Sequence, residues 1–124
     1  MSEELRGVVV CHGRLAQALV EAAEQISGVS GALTPVSNHG CDRDALEERV
    51  VEAVAGQSVV VFVDLSSGSC LFAVLKRLRA MDGVKVVTGV NLAMLVDFLF
   101  HRALSPAEAA ERAATAGSKA IRVP

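Results

Sequence analysis

Short apolar runs alternate with helical patterns along the whole chain. The runs are rich in valine and cover residues 7–11, 32–36, 58–63 and 84–90. The first, third and fourth are nearly continuous in apolar residues, as parallel strands covered on both faces are. Between the runs, apolar residues recur every three or four positions, which predicts one apolar face per helix. These stripes are Leu15, Leu19, Ala22 and Ile26, then Leu46, Val50 and Val54, then Leu71, Leu75 and Leu78. We therefore predict an α/β fold with a doubly wound, mainly parallel sheet.

Pro35 lies in the second run and predicts where that strand sits in the sheet. Proline has no N–H to donate to a ladder, so within sheets it is confined to edge strands. The strand order 2-1-3-4 puts strand 2 at an edge and strands 1 and 3 side by side in the centre. Helices then leave strands 1 and 3 toward opposite faces, which opens a crevice at their carboxyl ends. We expect a functional site in that crevice.

The end of the chain carries a clear helix signal and a possible last strand. Ser105, Pro106 and Glu108 have the spacing of a capping serine, a first-turn proline and the glutamate of a capping box. After this helix, the apolar segment AIRV at 120–123 could form one more short strand. No repeat, low-complexity tract or linker interrupts the sequence, so residues 1–124 are expected to form a single domain.

Composition and charge exclude several classes of protein. Hydrophobic residues make up 52% of the 124, which suffices to cover both faces of a sheet. No apolar run approaches the roughly eighteen residues of a membrane span, and the amino terminus lacks the layout of a signal peptide. The net charge is −2 without a cluster of Lys and Arg, which argues against nucleic-acid binding. We expect a cytoplasmic protein that neither inserts into membranes nor binds nucleic acid.

The three cysteines indicate neither a disulfide framework nor a metal site. Cys11, Cys41 and Cys70 are odd in number and follow no C-x-x-C spacing. In a reducing cytoplasm they are expected to be small, buried hydrophobic residues. Together with His12 and His39, Cys41 and Cys70 could in principle ligate a metal, but His-x-Cys matches no common zinc spacing. We predict no metal and no cofactor.

His12 and Asp64 stand at equivalent places in two neighbouring strands. His12 follows strand 1 and Asp64 follows strand 3. Adjacent strands are about 4.8 Å apart, so a hydrogen bond between the carboxylate and the imidazole is expected. Such a carboxylate would hold the ring proton on Nδ1 and leave Nε2 as a neutral nucleophile. Each residue alone has a plainer interpretation as a cap, but the conjunction favours function.

A loop of small residues follows Asp64. Ser67, Gly68 and Ser69 lead into a helix predicted to begin at about residue 70. Small residues let backbone N–H groups approach an anion, and the amino end of a helix favours negative charge. A nucleophilic histidine, an orienting aspartate and an anion cradle together describe a site that carries a phosphoryl group.

The other two histidines are expected to have local structural roles. His39 is assigned to a turn after strand 2, and His101 to the carboxyl end of a helix.

Three segments of the chain resemble the mannose-type EIIA domain of the phosphoenolpyruvate-dependent sugar phosphotransferase system. They are VVVCHGRLAQALVEAAEQISG at 8–28, VVVFVDLSSGSCLFAVLKRL at 59–78 and VVTGVNLAMLVDFL at 86–99. The family carries a hydrophobic run ending in His-Gly, an Asp-Leu-x-Gly-Gly-Ser-Pro segment and a Gly-Val-Asn-x-Pro segment. The resemblance covers nearly the whole chain, in order and at matching separations.

The resemblance implies a function and a set of partners. It implies that His12 accepts phosphate from the carrier protein HPr and passes it to a IIB partner, in sugar uptake or its regulation. The protein would then be a phosphotransferase in which Asp64 supports the histidine and the loop through Ser69 contacts the phosphate. Family members are dimers that exchange their last strand, so the resemblance gives residues 120–123 that role in a homodimer.

The departures from the family pattern are concentrated in the candidate site. The residues that match are His12, Asp64, Gly68, Ser69 and Asn91. The departures are Ser67 for glycine, Cys70 and Ala93 for prolines, and Arg14 where an acidic residue is frequent. We expect phosphorylation to be retained, with a regulatory role open beside sugar transport.

Two other functions stay open at this point. One is the phosphotransfer subunit of a dihydroxyacetone kinase, whose first domain has a similar architecture. The other is a receiver-like signalling module phosphorylated on Asp64. A receiver needs an acidic pair near strand 1 to bind magnesium, and Cys11 and His12 supply none.

Overall fold

A computed structural model describes residues 4–124 as a four-stranded sheet between two layers of helices. The strands are β1 (Arg6–Cys11), β2 (Leu33–Ser37), β3 (Val59–Val63) and β4 (Val84–Thr88). The helices are α1 (Leu15–Ser27), α2 (Arg43–Val54), α3 (Ser69–Leu78), α4 (Leu92–Leu99) and α5 (Pro106–Lys119). All neighbouring strands pair in parallel, in the order β2-β1-β3-β4. The predicted fold class and strand order are confirmed.

The central strands divide the core between the two faces of the sheet. Successive side chains of a strand point to opposite faces. In β3, Val60 and Phe62 face α1, α4 and α5, whereas Val59, Val61 and Val63 face α2 and α3. All five side chains are fully buried. This double coverage explains why β1 and β3 read as unbroken apolar runs.

The two outer strands differ from each other. Pro35 lies in β2, which pairs only with β1, as the proline predicts. The expectation that the fourth run is buried on both faces is wrong, because in β4 only Val87 is buried while Lys85 is exposed. β4 is the opposite edge and has a single neighbouring strand. Val84 and Val86 are therefore only partly buried in one copy of the chain.

Helix α1 packs on the sheet with a different face from the one its leucines predict. Its buried residues are Ala16, Val20 and Ala23, whereas Leu15 and Ile26 are exposed. One residue along a helix turns the side chain by about 100°. Two of the three buried residues are alanines, whose small side chains allow the helix to lie close to the sheet, while Leu19 packs at the border of the core.

Of the other two predicted apolar stripes, the one in α2 is fully buried and the one in α3 is buried in part. In α2 the stripe is confirmed, since Leu46, Val50 and Val54 are all buried. In α3 only Leu78 of the predicted stripe is fully buried, and Cys70, Ala73 and Val74 complete that face.

None of the five helices in residues 4–124 has the length and apolar character to cross a bilayer.

The chain ends in a helix without the further strand expected at 120–123. Ser105 caps α5, and its Oγ accepts a hydrogen bond from the backbone N–H of Glu108 at 3.2 Å, which confirms the helix signal. Beyond α5, Ile121 and Val123 are 77% and 98% exposed. A strand within the single chain is wrong, because this segment pairs with none of the four described strands. Exchange with a second copy stays a prediction.

Candidate active site

The loops that follow the strands meet at the carboxyl-terminal edge of the sheet. β1 and β3 are adjacent, with Val10 opposite Val63 in the ladder. The ladder continues one step further, since the backbone N–H of Asp64 donates to the carbonyl of Val10 at 3.3 Å. Just past this point His12 leaves β1, and its side chain meets that of Asp64. Strand adjacency therefore places the two residues, as the sequence predicts.

One carboxylate oxygen of Asp64 binds His12 twice. Oδ2 lies 2.8 Å from the backbone nitrogen of His12 and 2.8 Å from its ring Nδ1. The other oxygen, Oδ1, accepts a hydrogen bond from the backbone N–H of Leu65 at 3.0 Å. The Asp64 side chain is 9% exposed and that of His12 is 39% exposed. A carboxylate can only accept, so Nδ1 is the donor and the lone pair remains on Nε2.

Nε2 of His12 faces the beginning of α3. The hydroxyl oxygen of Ser69, the first residue of α3, lies 3.3 Å from Nε2. Gly68 precedes it with φ +97, a conformation that favours glycine. A Cβ at Gly68 would come within 3.8 Å of the imidazole. The first backbone N–H groups of a helix have no intrahelical acceptor, so the nucleophilic nitrogen faces a site suited to an anion.

The two loop residues that depart from the family pattern lie in different environments. Ser67 is exposed, and its φ lies outside the left-handed region, since Ala55 is the only non-glycine with positive φ in residues 4–124. Cys70 is fully buried in the first turn of α3. Burial, with a further contribution from the charge of Asp64, raises the pKa of the Cys70 thiol to about 11. The same causes raise the pKa of Cys11 to about 12. Both thiols are therefore protonated and unreactive at neutral pH.

A metal site at this place would need other residues than those considered from the sequence. His12, Asp64 and Cys70 each offer a ligand atom within 4.8 Å of the other two, whereas His39 and Cys41 are not part of this group. Binding a metal requires a deprotonated thiol. Here the Cys70 thiol is neutral, and Asp64 is already hydrogen-bonded to the imidazole. The absence of a metal stays a prediction.

Two residues of this edge were missed by sequence reasoning. Asn38 Oδ1 accepts a hydrogen bond from the backbone N–H of Gly13 at 3.0 Å, and Ser37 Oγ donates to the carbonyl of Gly13 at 2.5 Å. Both follow the buried part of β2 and so lie at the same edge as His12. Polar residues at the end of an adjacent strand were the available signal.

The remaining polar residues singled out from the sequence have local roles. His39 is exposed in the loop after β2, as expected. His101 follows α4, with Nδ1 2.7 Å from the carbonyl oxygen of Asp97, as expected of a residue at a helix carboxyl end. Asn91 caps α4 by accepting from Met94 N at 3.1 Å, and its Nδ2 donates to the carbonyl of Gly117 at 3.1 Å. Asn91 thus joins α4 to α5.

Comparisons with known proteins agree on one family. Residues 7–115 match the sequence profile of EIIA-man, described as the PTS system fructose IIA component, where PTS is the sugar phosphotransferase system. No curated protein matches the chain. The fold is similar to that of solved structures that share 17 to 24% of their sequence with this chain.

Three of the similar structures are IIA proteins from different bacteria. The phosphotransferase system component EIIA from Streptococcus agalactiae has a TM-score of 0.86 at 18% identity, covering 96% of each chain. The mannose/sorbose-specific IIA subunit from Enterococcus faecalis has a TM-score of 0.86 at 17% identity, covering 98% of this chain and 96% of that one. The PTS IIA protein associated with the fucose utilization operon from Streptococcus pneumoniae has a TM-score of 0.75 at 24% identity, covering 98% and 96%.

Proposed function

Because this chain belongs to the EIIA-man family of IIA components, and is therefore a phosphoryl carrier of the sugar phosphotransferase system, we propose that His12 carries the phosphoryl group. The observation that carries this proposal is the orientation of the imidazole. Nδ1 is bound to Asp64 at 2.8 Å, and Nε2 faces the hydroxyl of Ser69 at the amino end of α3. The whole chain would act as one such carrier domain.

The proposed phosphoryl transfer needs no separate acid or base, because no proton has to move between the two proteins. Nε2 of His12 attacks the phosphorus of a phosphohistidine on the donor. The donor's N–P bond breaks, and its electron pair returns to the donor's ring nitrogen. The His12 ring gains positive charge, which Asp64 stabilises through the Nδ1 proton. The hydroxyl of Ser69 and the first N–H groups of α3, next to Ser67 and Gly68, would contact the phosphoryl oxygens.

We propose phospho-HPr as the donor and a IIB protein as the acceptor, since IIA components of this family work between these two kinds of protein. Three large apolar side chains close to the site support docking of a protein. They are Leu15, Leu65 and Phe72, which are 44%, 54% and 50% exposed. Exposed apolar groups around a reactive side chain are typical of an interaction surface.

The proposed function of His12 is tested by transfer of label from phosphoenolpyruvate through enzyme I and HPr. The wild-type chain and a His12→Ala variant are compared as acceptors.

Nothing in the comparisons favours either of the other functions considered from the sequence. The receiver interpretation needs Asp64 as a free acceptor of phosphate. Instead, Oδ2 of Asp64 accepts two hydrogen bonds from His12, Oδ1 accepts one from Leu65, and the side chain is 9% exposed. These contacts support Asp64 as the partner of the histidine.

Restoring the family's loop residues tests whether the departures weaken the phosphate site. We expect Ser67→Gly combined with Cys70→Pro to accelerate transfer from phospho-HPr moderately. Glycine gives a phosphate closer access to the backbone, and proline fixes φ in the first turn of α3. Single-turnover labelling of the double variant and the parent measures the effect. An equal or slower rate would mean that Ser67 and Cys70 already fit the phosphate.

We also propose that two copies of the chain form a dimer by exchanging their last residues. The end of the chain beyond α5 leaves Ile121 and Val123 largely exposed. The outer edge of β4 pairs with none of the described strands. Beside it lies a groove of about 330 Å³ whose lining is mostly apolar: Val86, Val87, Ala110 and Ala114, with Thr88 and Glu111. An apolar tail and an unpaired strand edge are complementary, because pairing covers both.

Deletion of residues 121–124 is expected to convert the dimer to a monomer or to weaken it strongly. The deletion leaves α5 intact and removes the apolar side chains that would pair with the second copy. Light scattering measures the mass of the parent and the deletion variant. Arg122→Ser serves as the matched control, since it changes the same segment at a charged position. An unchanged dimer after the deletion would rule out strand exchange, and a monomeric parent would rule out the dimer.

A further inference from the structure

The loop after β2 holds the loop that carries His12. Gly13 has a left-handed backbone, with φ +60. Its N–H donates to Asn38 Oδ1 at 3.0 Å, and its carbonyl oxygen accepts from Ser37 Oγ at 2.5 Å. Both polar groups of the Gly13 backbone are therefore bound by side chains from the neighbouring strand end. We call this pair of hydrogen bonds the Gly13 clamp.

The Gly13 clamp restrains His12 from the side opposite to Asp64. The backbone N–H of His12 is bound by Asp64, and the next N–H along the chain, that of Gly13, is bound by Asn38. Gly13 and Arg14 are exposed. In residues 4–124 no atom beyond its chain neighbours lies within 4 Å of the position of a Cβ on Gly13. Packing therefore contributes little at this turn, and the hydrogen bonds set its conformation.

The clamp residues are themselves fixed. Arg49 of α2 donates through Nη1 to the carbonyl oxygens of Ser37 at 2.7 Å and of His39 at 3.0 Å. Ser37 Oγ also accepts from the backbone N–H of His39 at 2.9 Å. The hydroxyl proton of Ser37 is thus free to point at Gly13. A continuous set of hydrogen bonds runs from α2 to the peptide beside the candidate nucleophile.

We propose that Ser37 and Asn38 are positioning residues that hold His12 in the geometry required for phosphoryl transfer, an inference that rests on the proposed function of His12. Transfer requires Nε2 to approach phosphorus in line and to about 3–3.5 Å. A misplacement of the reacting atoms by about 1 Å can lower the rate by a factor on the order of 10². Asn38 binds the N–H of the peptide between His12 and Gly13, and Ser37 binds the carbonyl of the next peptide, between Gly13 and Arg14. The Gly13 clamp thereby restrains rotation of both peptides, and with it the backbone from which the imidazole projects.

Single-turnover transfer from phospho-HPr, measured at several donor concentrations, tests the proposal. We expect Asn38→Ala and Ser37→Ala to lower the maximal rate about 10-fold to 10²-fold, with little change in the half-saturating donor concentration. Asn38→Asp and Ser37→Thr keep the acceptor and the hydroxyl, and should recover most of the rate. Ser27→Ala is the matched control, because Ser27 also bonds backbone in a loop, at Val29 N and 3.0 Å, at the other end of α1. It should transfer at the parent rate.

Two further measurements separate positioning from general stability. Amide hydrogen exchange at Gly13 should accelerate in Asn38→Ala, while exchange in β3 and the thermal midpoint stay close to the parent. The ¹⁵N spectrum of the His12 ring should still show the proton on Nδ1, because Asp64 is unchanged. If Asn38→Ala does not fold, Ser37→Ala and Ser37→Thr decide the question by the same measurements.

The outcomes distinguish this inference from the proposed function. If the parent is labelled on His12 and the alanine variants react at the same maximal rate, the positioning role is wrong and His12 remains the carrier. The positioning role is also wrong if Ser37→Thr is as slow as Ser37→Ala. If the parent is not labelled on His12 at all, the proposed function fails, and the positioning role fails with it.

Discussion

Replacing His12 by alanine is expected to abolish labelling of the chain by phosphoenolpyruvate, enzyme I and HPr. The lone pair of the imidazole is on Nε2, because Nδ1 of the ring carries the proton that is bound to Asp64. The parent should gain one phosphoryl group on Nε2 of His12; mass spectrometry locates the residue, and the ¹⁵N spectrum of the ring identifies the nitrogen. No magnesium should be needed for the last step, from HPr to this chain. His101→Ala is the matched control, since His101 follows the carboxyl end of α4 and is not part of the candidate site. This variant should be labelled like the parent.

The stability of the adduct identifies the type of side chain that carries the phosphate. A phosphohistidine is a phosphoramidate, so it should be labile in acid and persist in alkali. A phosphoaspartate on Asp64 would be an acyl phosphate, cleaved by base and by hydroxylamine. Label that survives in His12→Ala and is released by hydroxylamine would contradict the carrier proposal and favour the receiver function.

Replacing Asp64 by asparagine is expected to preserve the fold and slow phosphorylation strongly. An asparagine amide can turn its NH₂ toward the ring, which would move the ring proton from Nδ1 to Nε2 and occupy the nucleophilic lone pair. Asparagine also has no charge to stabilise the phosphorylated ring. Loss of the orienting aspartate costs on the order of 10⁴ in serine proteases. We expect a smaller loss here, because phosphoryl transfer depends largely on positioning and on phosphate contacts.

Single-turnover labelling and the ¹⁵N spectrum of the imidazole measure the effect of Asp64→Asn. The spectrum should show a larger share of the tautomer protonated on Nε2. Asp42→Asn is the matched control: Asp42 caps α2 by accepting from Ala45 N at 2.8 Å, and asparagine caps helices equally well. Equal rates in Asp64→Asn and the parent would remove Asp64 from the mechanism.

The sequence by itself determined the features that depend on local patterns. Alternation of valine runs and helical stripes predicted the fold class, and Pro35 predicted the edge position of β2. Together they placed His12 and Asp64 on adjacent strand ends. These predictions succeed because periodicity, a missing N–H and strand adjacency constrain the chain regardless of which side chains surround them.

Only the tertiary structure decided which surfaces are covered and which side chains meet. The outward face of α1, with Leu15 exposed, follows from how closely the helix lies on the sheet. The partial exposure of β4 follows from its place at the edge of the sheet. The hydrogen bonds from Ser37 and Asn38 to Gly13 join residues that are 24 and 25 positions apart in the chain. They therefore depend on the paths of two separate loops. Local patterns cannot determine such contacts, because each depends on the position of a neighbouring element that the segment itself does not encode.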